Sequence, residues 1–202
     1  MPNWVFNDLT LSGPKSELDR LKEQVNAPFT VMGRQYSKPV FAFWNIIKPE
    51  PTVNYDVDWY GWNATTWGTK WDVAVHDDDK YAETELVEES EDSLYYKFST
   101  AWDTVFPVMY ALSEQYPDLT LELAYEEEQG WGGNAVWRGG QIVHQVVWDI
   151  PYSHADYVEQ GREEACGCSA GPDWAFQDCP IDPNFYEFDT MSGSWVSKPT
   201  TV

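Results

Sequence analysis

The chain has 202 residues, 43% of them hydrophobic, with 12 Trp and 12 Tyr; that is enough to bury a core in one ordinary domain plus an appendage, and too aromatic for a disordered chain. Thirty-four acidic residues against 12 basic ones give a formal net charge of -22, a field that repels nucleic-acid backbones and anionic lipid surfaces and suits a basic partner, a cation or plain solubility. No run reaches the roughly 18 apolar residues of a spanning helix, the opening MPNWVFNDLT lacks the basic-then-apolar layout of a signal peptide, and three cysteines bunched in one segment do not make a secreted disulfide framework. A cytoplasmic protein is expected.

In chain order, residues 3–11 alternate, with Val5, Leu9 and Leu11 on one face and Trp4, Phe6, Asp8 and Thr10 on the other, which predicts a first strand. Ser12, Gly13 and Pro14 then open a helix whose apolar stripe is Leu18, Leu21 and Val25. Residues 26–71 are rich in turn formers and read as a long irregular connection, of a kind that is often functional; within it the apolar piece at 41–47 reads as a strand or one helical turn. A second strand is expected from Asp72, through Val73 and Val75, followed by a turn at 76–80 and an acidic stretch from Tyr81 to Glu89 that alternates only in part.

Leu94, Tyr96 and Phe98 mark a clear strand, residues 107–115 a second helix closed by Pro117, and Leu119, Leu121, Leu123 and Tyr125 the cleanest strand of all. Gly139 and Gly140 then join a hairpin. Its second arm is apolar on both faces, through Ile142, Val146 and Trp148 on one and Val143 and Val147 on the other, and is expected to be covered on both. The order is strand, helix, strand, strand, helix, strand, hairpin. It predicts an α+β protein: a ferredoxin-like antiparallel sheet with two helices on one face, a C-terminal hairpin, and a small irregular Cys-containing tail. Two domains are expected, residues 1–149 and an acidic extension at 150–202 with a short helix at 154–164 and a frayed end from Ser192.

Three blocks carry a family resemblance. They are the opening MPNW with its strand, Ser12-Gly13 and amphipathic helix; the central WYGWNATTWGTKWD, above all Trp67-Gly68-Thr69-Lys70-Trp71; and residues 98–128, FSTAWDTVFPVMYALSEQYPDLTLELAYEEE. In this order they resemble the Api92-like (YubB-like) ferredoxin-fold family of phage and plasmid proteins, over about residues 1–149. The resemblance implies a ferredoxin-like fold in a phage or mobile-element protein, and it brings no catalytic residues.

Three constellations could carry chemistry. Trp62, Trp67, Trp71 and Trp102 could wall a pocket, with Gly68 for close backbone approach and Lys70 and Asp103 as its polar groups; the plainer reading is that Trp59, Trp62, Trp67 and Trp71 plug a long loop over the sheet, with Lys70 pairing a carboxylate and Asp103 serving a cap or turn. Glu126 to Glu128 and the carboxylates Glu83, Glu85, Glu88 and Glu89 could bind a hard cation or mimic the phosphate repeat of DNA, or be solvated faces. Cys166, Cys168 and Cys179 with His154 could complete a tetrahedral zinc site, Asp173 or Asp178 standing as alternative fourth ligands and three ordinary thiols as the plain reading.

His144, mid-strand, reads as a structural imidazole, and no nucleophile elbow, phosphate-cradling loop or zinc-protease motif is present. The chain therefore reads as a binding protein and not an enzyme. Its partner would be a host or phage protein, basic in character, such as a nucleic-acid-binding or defence protein that it inhibits; neither nucleic acid nor membrane is bound directly, and structural zinc is the one cofactor in play. A Trp-lined small-ligand pocket and a self-assembling structural protein are the alternatives.

Overall fold

The computed structural model describes residues 3–80, 83–166, 168, 179, 186–189, 191 and 194–197. The chain divides into two compact units, Met1–Val147 and Trp148–Val202. Among the described residues no helix is long and apolar enough to cross a membrane.

The first unit is built on β1 (Trp4–Ser12), α1 (Lys15–Val25), β4 (Glu85–Glu89), β5 (Ser93–Ala101), α3 (Phe106–Gln115), β6 (Thr120–Glu127), β7 (Gly132–Arg138) and β8 (Gln141–Trp148). The long connection adds a small hairpin, β2 (Phe29–Val31) and β3 (Arg34–Tyr36), a 3₁₀ turn at Phe43–Asn45, and α2 (Tyr55–Thr66). The main sheet has six strands in the order β4-β5-β1-β6-β7-β8. β1 lies at its centre and pairs antiparallel with both β5 and β6, Leu9 standing between Tyr96 and Leu123. β4-β5-β1-β6 is thus the split βαβ pattern of a ferredoxin-like fold, and β7 and β8 extend it at one edge.

Alternation decides the two faces. Val5, Leu9 and Leu11 of β1, Leu94, Tyr96 and Phe98 of β5 and Leu121 and Leu123 of β6 point to one side and are buried. There α1 lays down Leu18, Leu21 and Val25, and α3 lays down Val108, Met109 and Leu112. The other face is open to solvent: Phe6 is half exposed, and Asp8 holds the Tyr95 hydroxyl and lies 3.4 Å from the Lys97 ammonium. One covered face and one wet face is the ordinary state of an antiparallel sheet.

Three expectations need correction. Residues 72–77 form no strand. The Asp72 carboxylate engages nearby backbone N–H groups, Val75 and Asp77 donate single bonds to the Pro39 and Gln35 carbonyls without forming a ladder, and the second strand of the ferredoxin-like pattern is β4, in the acidic stretch. The connection is not irregular throughout, because it contains α2 and the β2–β3 hairpin; at 41–47 it makes a helical turn rather than a strand. Nor is β8 covered on both sides. It is the sheet edge, with Val143, Val146, Val147 and His144 all exposed.

In the second unit α4 (His154–Glu159) is capped by Ser153, which accepts from the Asp156 N–H at 3.1 Å. A 3₁₀ turn follows at Glu163–Cys166, then an antiparallel pair, β9 (Tyr186–Asp189) and β10 (Ser194–Ser197). β10 falls within the stretch expected to fray. Tyr81, Asp173, Asp178 and residues 198–202 lie outside the described residues.

Candidate binding pocket and metal centre

The helix α2 explains how the long connection is held. Tyr55, Trp59, Trp62, Asn63 and Thr66 recur at helical spacing and form its inner face, while Asp56, Val57, Asp58 and Tyr60 face water. Trp67 follows directly and is almost wholly buried, its indole N–H donating to the Ile47 carbonyl at 3.1 Å. Trp62 meets it edge-on at 5.1 Å between ring centroids. Gly68 has φ +85°, and a Cβ there would stand 3.0 Å from the Thr104 carbonyl oxygen and 3.3 Å from Pro107, so both the backbone turn and the close approach require glycine. The Thr69 hydroxyl donates to the Ala101 carbonyl at 3.0 Å and accepts its N–H at 3.1 Å, tying the segment to the end of β5.

A cavity of about 490 Å³ opens between this segment and the β2–β3 hairpin. Phe29 stacks on Tyr36 at 4.4 Å and on Trp44 at 5.9 Å, and Trp44 meets Tyr55 edge-on at 5.1 Å, so one wall is continuous π surface. Trp59, Trp67 and Trp71 complete it. The polar feature is Asp72. Its carboxylate accepts from the backbone N–H groups of Phe43, Trp44 and Ala74 at 2.9, 2.8 and 3.1 Å, which fixes its position. Burial nevertheless pushes the carboxyl up to about 6, against the effect of those donors. The Tyr55 hydroxyl is pushed up to about 12, chiefly by burial, with the Asp72 charge adding to it; that hydroxyl donates to Asn63 Oδ1 at 2.8 Å, and Asn63 in turn donates to the Lys70 carbonyl at 2.9 Å.

Beside the cavity, the Lys70 ammonium lies 4.3 Å from the centre of the Trp71 ring, 5.1 Å from Trp102 and 5.7 Å from Tyr60. These rings are 39%, 43% and 49% exposed, so the cluster is a surface feature built around a cation. Trp102 adopts φ +73°, a conformation that non-glycine residues seldom take.

Of the residues singled out in the sequence, Lys70, Trp71 and Trp102 come together. Trp62 and Trp67 pack inward. Asp103 engages the turn, its carboxylate accepting from the Thr104 N–H at 2.7 Å. Tyr60, Asp72, Trp44 and the β2–β3 aromatics went unmarked; the regular spacing of Tyr55, Trp59 and Trp62 was the available signal. Among the acidic residues Glu127 is buried and accepts from the Gln129 N–H at 2.7 Å, whereas Glu85, Glu88 and Glu89 lie exposed on the edge strand β4.

In the second unit the ligand atoms of His154, Cys166, Cys168 and Cys179 all lie within 4.8 Å of one another and could hold a metal ion. His154 Nδ1 is 3.1 Å from Cys166 Sγ and 4.0 Å from Cys168 Sγ, and Cys166 Sγ is 3.6 Å from Cys179 Sγ. A tetrahedral Cys₃His zinc site needs edges of about 3.5–3.8 Å. The other ring nitrogen, Nε2, lies 3.7 Å from the Glu163 carboxylate, the arrangement that orients a ligating imidazole. Burial pushes the Cys166 thiol up, but hydrogen bonds from His154 and the neighbouring cysteines outweigh it and leave it below the ordinary range.

No curated protein matches the chain. A crystal structure of the protein api92 from Yersinia pseudotuberculosis superposes on it with a TM-score of 0.55 at 9% identity, over 75% of this chain and 99% of that one; at that identity the likeness shows the fold. Residues 70–168 match the family described as the ferredoxin-like domain in Api92-like proteins, a span that takes in β4 to β8, His154, Cys166 and Cys168, while the central strand β1 precedes it. Over residues 70–168 the chain carries the ferredoxin-like domain of the Api92-like family.

Proposed function

We propose that the chain is a binding protein and not an enzyme: it recognises a basic protein partner through the exposed aromatic cluster around Lys70, and its second unit is organised by one zinc ion. The cluster of Tyr60, Trp71 and Trp102 carries this reading, because large amphipathic rings exposed together are the side chains that anchor protein interfaces. The net charge of -22 favours a basic surface opposite. A phage-encoded inhibitor of a host nucleic-acid-binding or defence protein, acting in the cytoplasm, fits both features.

The test is affinity capture from host lysate with wild type and with a Trp71→Ala, Trp102→Ala double variant; both side chains are partly exposed, so the fold should survive. A protein that is captured by wild type, lost with the variant and released as salt rises supports the reading. A partner retained by the variant, or no partner, overturns it. For zinc, elemental analysis of purified protein should give one zinc per chain, and Cys166→Ser should remove it; a metal-free wild type under reducing conditions would refute that part.

A further inference from the structure

The cavity beside the Lys70 cluster contains a charge with no counterpart. Among the described residues no Lys or Arg pairs with Asp72. Its carboxylate is held by backbone donors, lines the cavity, and faces a π wall formed by Phe29, Tyr36, Trp44 and Tyr55. A fixed anion beside aromatic faces is the arrangement that attracts a poorly hydrated cation, since the ring quadrupoles and the carboxylate both favour positive charge and the rings tolerate methyl groups. The remaining charged groups at the cavity do not reverse this. Arg34 and Asp79 line the cavity with opposite charges, and His76 accepts the Asp78 N–H on Nδ1 at 3.2 Å. Trp71 lines the cavity and also holds the Lys70 ammonium, so one of its own rings already binds a cation in this protein.

We propose that this cavity is a binding site for an alkylated ammonium group, with Asp72 as its counter-ion and Trp44, Tyr55 and Trp59 as its walls. About 490 Å³ holds a trimethylammonium head with a short stem. The inference deepens the reading of this segment as a recognition surface, by naming the chemistry it selects; a free small cation tests it without any partner protein.

The experiment titrates the full chain with choline and, separately, with its neutral isostere 3,3-dimethylbutan-1-ol, at constant ionic strength, read by calorimetry and tryptophan fluorescence. Choline should bind saturably and about ten-fold or more tightly than the isostere. Equal affinity would make the cavity merely apolar, and no binding would remove the site; either overturns the proposal. Asp72→Asn should abolish the preference for charge. Because that variant also weakens three backbone contacts, Trp59→Leu on the partly exposed α2 serves as the second variant, expected to weaken choline about ten-fold. The Lys70 ammonium occupies the rings of the surface cluster and repels a second cation there, so tighter choline binding by Lys70→Ala would place the cation in that cluster and overturn the proposal. A short peptide carrying trimethyllysine, compared with choline, distinguishes the sources: tighter peptide binding assigns the group to a partner's side chain, equal binding to a free amine.

Discussion

The two units differ in the side chains they bury. In the first, Leu9, Leu11, Leu21, Tyr96, Met109, Leu112 and Trp137 have essentially no exposure and form one core between one face of the sheet and the helices α1 and α3. In the second, the described residues that are buried are Pro151, His154 and Cys166, and two of these belong to the Cys₃His cluster. Small units commonly draw stability from cross-links or metals, the role proposed for zinc. In the first unit, among the described residues, the Tyr96 hydroxyl, the Trp137 indole N–H and Glu127 Oε1 are buried without a hydrogen-bond partner, whereas other buried polar groups are satisfied. Asn7 is one such group: it donates to Val5 and Thr100 at 2.8 and 3.0 Å and accepts from Thr104 at 3.2 Å.

The largest effect should come from removing the zinc proposed for the second unit. Zinc sites of this type contribute roughly 10–16 kcal/mol of apparent binding energy in small peptides, so a strong chelator should unfold the second unit and leave the first intact. Thiol titration would follow this, with all three cysteines reacting slowly before chelation and rapidly after it. Next is Leu9→Ala at the centre of β1, expected to cost about 3–4 kcal/mol through the cavity it leaves. That variant should lower the melting temperature of the first unit while zinc content stays at one per chain; a loss of zinc would show the units to be interdependent.

A smaller effect concerns Asp72. Its folded pKa of about 6 lies above the ordinary 3.8, so the folded state binds the proton more tightly, and this stabilisation is lost as pH rises from about 4 through 6. Compared with Asp72→Asn, the wild type should lose roughly 2–3 kcal/mol between pH 4 and pH 7 in denaturant titrations; parallel curves would mean that the carboxylate is well solvated. Smallest is Gly68→Ala, expected to cost about 1–2 kcal/mol because its φ of +85° and the Thr104 carbonyl both oppose a side chain. No change in the melting temperature would show that the loop is loosely seated.

Most of the sheet was legible in the sequence because its strands bury one face. β1, β5 and β6 alternate, α1 and α3 carry aliphatic stripes, and Gly139 and Gly140 mark the last hairpin. The connection was not, because α2 turns aromatic and polar side chains inward rather than aliphatic ones, with Gly61 in its middle, and so presents no leucine stripe. β4 was obscured by its edge position. Glu85, Glu88 and Glu89 are exposed and a register shift interrupts its pairing, which are features that protect an edge from further pairing and erase alternation. For the candidate sites, the cysteine spacing and His154 pointed to a group that the fold does gather. The cavity stayed hidden, since Asp72 is separated by 28 and 29 residues from the Trp44 and Phe43 amides that hold it, and only folding brings them together.

A hydrophobic core sustains the first unit, and a zinc ion is proposed to sustain the second. Hydrogen exchange followed by mass spectrometry, with and without chelator, tests this directly. The predicted result is that residues 148–166 and 186–197 lose protection on chelation while β1, β5, β6 and residues 55–72 keep theirs. Unchanged protection in both units, or loss in both together, would contradict it.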